Sequence, residues 1–308
     1  MSDADIVPPD TVPPDSAPPD TAPSLPKLPL REAISLSYAW FFQKFPDLLR
    51  ISWLWLLICA ALVGISSWMQ WTWMADVLGA DTGGMLQRAT LESSRPIELL
   101  ILGYIAGLLP LIAGVSIAVA WHRRIILGEQ PGLSGSNILA GELWRYIGVG
   151  ILIMLVTTLP LVFILVLAVV LASQSIAALV GLLLCLAAIA AVVLRLSLIL
   201  PARAIGDVGL TIREAWHRTR GNTWRLFWGT VACTLPPAIL LETVSLIVFG
   251  AIGSQVAPGQ PLDTSVALAV ALMSTIFFVV YLLIVPIGIG FLSHAYRHFF
   301  QGGLEAAA

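Results

Sequence analysis

Six apolar stretches, at about 48–70, 97–121, 146–172, 176–200, 226–249 and 267–292, limit this chain more than any other feature. Each has the roughly 20 residues that a helix needs to cross a hydrocarbon layer about 30 Å thick. In that layer every backbone N–H and C=O must find its partner within the chain, and a continuous apolar run does so as an α-helix. Composition agrees, with 58% of residues hydrophobic and only 11% charged. The predicted class is therefore an all-α integral membrane protein with six transmembrane helices. The third and fourth spans are separated by Ser173, Gln174 and Ser175 alone, which leaves room for a tight hairpin turn.

Charge beside the spans predicts their orientation, because basic residues are retained on the cytoplasmic side. Fourteen of the sixteen Lys and Arg residues fall on one side of such a topology, from Lys27 to Arg297, and only Arg88 and Arg95 on the other. Both termini and the long basic loops are then cytoplasmic, and the expected location is a bacterial inner membrane. Tryptophan follows the same layering. Trp68, Trp71 and Trp73 gather at the outer end of span one, whereas Trp121, Trp144, Trp224 and Trp228 mark inner ends. Indole favours the headgroup level, where the ring is half-buried and the N–H stays hydrated.

Around this core the expected organisation is a Pro/Asp-rich cytoplasmic tail at 1–28, a membrane domain at 29–300 and a short tail at 301–308. The tail repeats "VPPDT VPPDS APPDT" at 7–21. Proline removes backbone donors and holds its predecessor extended, so this segment reads as unfolded and polyproline-like. It has neither the basic start nor the apolar core of a signal peptide. Cys59, Cys185 and Cys233 all lie inside apolar runs and read as small buried hydrophobes rather than ligands or disulfides.

A weak internal repetition runs through the chain. Odd-numbered spans begin in similar phrases, "PDLLRISWL" at 46–54, "GELWRYIGV" at 141–149 and "GNTWRLFWG" at 221–229. Each sets one arginine (Arg50, Arg145, Arg225) at the inner boundary, where it can snorkel to lipid phosphates. Even spans leave through "RRIILGEQPGL" at 123–133 and "ARAIGDVGL" at 202–210. The economical reading is three parallel units, each an interfacial helix followed by a transmembrane hairpin. Leu30, Ile34, Tyr38, Phe41 and Phe42 make an apolar stripe in the first interfacial segment. In the last, Ile212, Ala215, Trp216 and Thr219 face one way, while Arg213, Glu214, His217, Arg218 and Arg220 face the other. Glu214 and Arg218 stand i,i+4 for a surface ion pair of a few tenths of a kcal/mol. Gly221 is placed to close this helix and Asn222 to cap the next. Helices of this kind lie along the membrane surface.

"LPARAIGDVGLTIREAWHRTRGNTWRLF" at 200–227 and "AWHRRIILGE" at 120–129 resemble a group of bacterial six-span proteins. These are similar to the membrane domain fused to some glycerophosphodiester phosphodiesterases. The resemblance extends from about residue 28 onward and implies a helical bundle in a bacterial inner membrane. It implies no activity, since no part of this sequence corresponds to the soluble phosphodiesterase barrel.

The basic residues Arg50, Arg123, Arg124, Arg145, Arg213, Arg218, Arg220 and Arg225, with Trp144, Trp216 and Trp224, are the candidate contacts to anionic lipid headgroups. Each basic residue held near an anionic leaflet is worth about 1 kcal/mol. Nucleic acid is not an expected partner, because no soluble domain presents basic and aromatic residues away from the bilayer. Glu242 is the one acid well inside a span, about 24 Å beyond Leu226 at 1.5 Å per residue. With Tyr104 it forms a candidate intramembrane polar site, against the simpler reading of a carboxyl near the outer interface. Pro110, Pro160, Pro236, Pro237 and Pro286 interrupt spans, and Gly103 with Gly107 forms a GxxxG that reads as a close helix contact. His294 and His298 have a spacing that can serve a metal, but without further ligands they read, with His122 and His217, as interfacial side chains. No metal, cofactor or catalytic constellation is expected. The predicted role is non-catalytic: organising lipids, or holding or regulating a membrane-protein partner or a second copy. The alternative is a small-solute or lipid transporter that uses the proline-kinked helices and Glu242.

Overall fold

The computed structural model describes residues 26–79, 96–130, 132, 140–171, 176–254 and 263–302. Most of the Pro/Asp-rich tail, Arg88, Arg95, the Ser173–Ser175 turn and residues 303–308 lie outside them. The described elements are all helices: α1 Leu30–Gln43, α2 Phe45–Gly79, α3 Ile97–Leu127, α4 Gly141–Leu171, α5 Ile176–Leu196, α6 Ile199–Ala204, α7 Ile212–Arg218, α8 Thr223–Gly253 and α9 Thr264–Phe300. Six of them hold spans long and apolar enough to cross a membrane. The protein is an all-α, multi-pass membrane protein.

The helices outrun the apolar stretches that announce them. α9 has 37 residues, about 55 Å at 1.5 Å per residue, and the hydrocarbon needs only about 30 Å of it. The excess lies mostly at the basic end, where the terminal turns of α2, α3, α4 and α9 pack with α1, α6 and α7. Trp121, Leu48, Ile51, Leu143, Leu198, Leu226 and Phe291 are fully buried there. Away from this end the helices turn most of their apolar side chains outward, as a lipid-facing surface should.

Local chemistry sets the boundaries. Gly128 closes α3 in the left-handed conformation at φ 68°. Pro201 has no N–H to give to the Ser197 carbonyl, which accepts from the Leu200 N–H at 3.1 Å instead; α5 and α6 are separate helices for this reason. Thr211 caps α7 by accepting from the Glu214 N–H at 3.2 Å. The first and third interfacial segments are thus helical, while the second unit's equivalent falls largely on undescribed residues 131 and 133–139.

Prolines 110, 160, 236, 237 and 286 all sit inside continuing helices. Pro236 cannot donate to the carbonyl of Ala232, four residues back, and leaves it an orphan acceptor. The Tyr38 hydroxyl of α1 donates to that oxygen at 2.8 Å. Burial, with Cys233 adding to it, raises the pKa of Tyr38 and keeps the phenol a donor.

Close helix contacts form at glycines other than the expected pair. A Cβ placed on Gly103 or Gly107 meets no atom within 4 Å, so among the described residues no other helix packs closely on this GxxxG. A Cβ on Gly229 of α8 would stand 2.0 Å from Cζ of Phe291 on α9. Gly288 of α9 similarly receives Thr234 of α8, whose Cγ2 lies 2.7 Å from the position of a Cβ. Small residues let α8 and α9 approach where lipid offers no hydrophobic drive to association.

Two substitutions test this packing by thermal unfolding in detergent. Gly229→Ala is expected to destabilise the protein by about 1–3 kcal/mol, whereas Gly103→Ala leaves the midpoint unchanged. Tyr38→Phe is expected to cost about 1–3 kcal/mol, since it strands the Ala232 carbonyl without a donor.

Candidate lipid-headgroup interface

The basic end carries two populations of arginine, separated by what their guanidinium groups touch. The first is engaged within the protein. Two nitrogens of Arg124 donate to Oδ2 of Asp47 at 2.8 and 2.9 Å, tying α3 to α2. Arg123 pairs with Glu129 at 2.6 Å and donates to the Ala204 carbonyl at 3.2 Å. Arg218 makes the expected i,i+4 pair with Glu214 at 2.7 Å and also donates to the Phe299 carbonyl at 3.3 Å. Arg225 donates to the Leu28 carbonyl at 2.6 Å. Arg203 does the same for the carbonyls of Asp207 and Leu210. Helix ends leave acceptors without intrahelical donors, and a forked cation can serve several at once.

The second population is Arg50, Arg145, Arg213 and Arg220, all exposed. None of these four forms an ion pair among the described residues. Exposed Trp144, Trp216 and Trp224 occupy the same end of the molecule. Trp224 stacks on Phe227 with ring centroids 5.3 Å apart, and Trp228 meets it edge-on at 5.4 Å. α7 divides its apolar side: Ala215 and Thr219 are buried in the protein, whereas Ile212 and Trp216 remain exposed. Arg213, His217, Arg218 and Arg220 are exposed around them.

Asn222 has a larger part than helix capping. Its side chain makes no cap hydrogen bond to α8. Instead Oδ1 accepts from the Leu28 N–H at 2.9 Å and Nδ2 donates to the Pro26 carbonyl at 3.1 Å. With Arg225 on the Leu28 carbonyl, the segment before α1 is strapped across the α7–α8 junction, and Leu28 is fully buried. The Asn-after-Gly signal marked a helix start; nothing local pointed to a partner 194 residues away.

Histidine readings are corrected for two positions. His122 and His294 are fully buried rather than interfacial. Ser293 gives its hydroxyl proton to the Ile289 carbonyl at 3.0 Å. It therefore accepts from Nδ1 of His122 at 2.7 Å, which leaves Nε2 to accept from the Tyr146 hydroxyl at 3.4 Å. This chain of bonds joins α3, α4 and α9 within the basic end. His217 is exposed, and His298 is half-buried. Among the described residues no three His, Cys, Asp or Glu side chains gather as a metal site would require.

Glu242 and Tyr104 both sit on outward faces. Tyr104 is 72% exposed. Glu242 is exposed on a stripe of α8 shared with Leu235, Ile239 and Leu246, and its carboxylate accepts from the Ser245 hydroxyl at 3.3 Å. Two apolar grooves follow α9, one of about 440 Å³ against α2 and one of about 290 Å³ against α8, and neither is lined by Glu242. Comparison of the chain with family models, curated proteins and solved structures finds no match.

Asn222→Ala removes an acceptor and a donor from buried backbone groups. It is expected to cost about 1–3 kcal/mol and to expose the chain near Lys27 to trypsin, measured as the rate of cleavage there.

Proposed function

We propose that the protein is a non-catalytic component of a bacterial inner membrane that organises anionic lipids at the cytoplasmic surface and serves as a scaffold for a membrane partner. One observation carries this reading. Four exposed arginines without acidic partners among the described residues share one end of the bundle with exposed tryptophans. Cations that lack a counter-charge in the protein find one in lipid phosphate, and indole rings settle at the same depth. The imbalance of basic residues between the two sides supports cytoplasmic termini. The resemblance of residues 200–227 and 120–129 to a membrane domain joined to phosphodiesterases of glycerophosphodiesters fits a scaffold beside phospholipid metabolism. Transport draws no comparable support, since Glu242 faces outward and the two grooves along α9 are apolar.

The full-length protein extracted from mixed phosphatidylglycerol–phosphatidylcholine vesicles is expected to retain phosphatidylglycerol preferentially, measured by mass spectrometry of bound lipid. Replacing Arg50, Arg145 and Arg213 together by Gln should reduce that enrichment at least about tenfold, given about 1 kcal/mol per basic residue. Unchanged enrichment in the triple variant would sink the proposal. Orientation has its own check: green fluorescent protein fused at residue 215 should fluoresce, and alkaline phosphatase fused there should be inactive.

A further inference from the structure

Arg195 and Arg220 form a pair that the protein leaves electrostatically incomplete. Arg195 lies in the last turn of α5. Its guanidinium carbon stacks 4.3 Å from the centre of the Trp216 ring on α7, and its Nε donates to the Thr223 hydroxyl of α8 at 2.7 Å. These two contacts fix the plane of the guanidinium. Its terminal nitrogens make no hydrogen bond to the described residues. Arg220 occupies the turn between α7 and α8, where Gly221 reverses the chain at φ 79°, a conformation that suits glycine. It lies in the chain between Trp216 and Thr223, the two residues whose contacts hold Arg195. No carboxylate among the described residues pairs with either arginine.

We propose that Arg195 and Arg220, set by Trp216 and Thr223 at the α5–α7–α8 junction, form a discrete site for one phosphate ester group. This deepens the headgroup reading above and rests on it for the choice of a lipid as the first source. A phosphate has several acceptor oxygens. The oriented fork of Arg195 takes two of them side by side, and Arg220 approaches a third. The anion also supplies both cations with the counter-charge that no carboxylate among the described residues gives them. The surroundings suit an ester that carries an apolar portion, because Trp216 is 42% exposed beside Arg195 and Ile212 and Trp224 are exposed on the adjoining turns. The site differs from the surrounding basic surface in having one cation whose direction is imposed by the protein. A charge held only by long-range attraction has no such requirement.

The test uses full-length protein in uncharged detergent, titrated with phosphatidylglycerol and, separately, with inorganic phosphate, and read by native mass spectrometry as the affinity for the first bound ligand. Arg220→Gln is expected to weaken that affinity about tenfold, the loss of one charge-assisted hydrogen bond. Arg31→Gln removes the same charge from an exposed position on α1 and should change it less than about twofold. Arg195→Lys keeps the charge but not the stacked fork, and should weaken binding as Arg220→Gln does. This pattern with phosphatidylglycerol alone identifies a headgroup as the source; with inorganic phosphate as well, it identifies a site that also takes free phosphate. Equal effects of Arg220→Gln and Arg31→Gln, or full affinity in Arg195→Lys, overturn the discrete site while leaving the basic lipid surface intact. Binding of neither ligand by the wild type overturns both.

Discussion

The ring of Phe291 against the backbone of Gly229 is the contact on which the rest of the basic end depends. Because Gly229 has no side chain, the Phe291 ring of α9 reaches the backbone of α8, and α9 can then stand at the centre of the bundle. α1, α2, α3 and α8 all pack around that helix. Trp121 of α3 fastens to it through a hydrogen bond to the Pro286 carbonyl at 3.1 Å. Ser293, two residues beyond Phe291, receives His122, and the final turn accepts Arg218 at the Phe299 carbonyl. In hydrocarbon, apolar side chains gain little by leaving lipid for one another, so shape and hydrogen bonds decide which helices meet.

The arginines obey two demands that converge on one place. Long helices ending near a membrane surface leave carbonyl oxygens that water reaches poorly, and guanidinium groups are well shaped to satisfy them. Arg203, Arg218 and Arg225 all do so, each on backbone from another segment or the following loop. The same end also carries most of the chain's positive charge, the pattern by which basic residues orient membrane spans. Arginine meets both demands. The cluster between Arg213 and Arg225 is therefore neither wholly structural nor wholly a surface for ligands. Arg218 and Arg225 hold neighbouring segments in place, and Arg213 and Arg220 face away from them.

Much of this was legible along the chain. Hydropathy located the six spans because a bilayer imposes a minimum run of apolar residues, and the helices begin and end around those runs. The i,i+4 relation of Glu214 and Arg218 was legible because helix geometry alone makes them neighbours. The prolines announced orphan carbonyls, since the missing N–H is a property of the residue. Which donor would come to Ala232 was not legible, because Tyr38 stands 194 positions away. The GxxxG of α3 misled for a related reason. Small residues permit close approach but do not supply the second helix, and the approach took place at Gly229 and Gly288.

The sequence by itself determined a membrane-spanning all-helical protein with one basic, tryptophan-marked end, because hydropathy and charge act on each segment separately against lipid and water. Only the tertiary structure decided which polar residues are interior and which are available to a ligand. His122 and His294 became core, Asn222 became the anchor of the segment before α1, and half of the candidate arginines became internal braces. Those outcomes depend on which helices lie beside one another. That choice is made by steric fit and long-range hydrogen bonds, which no local pattern of residues contains.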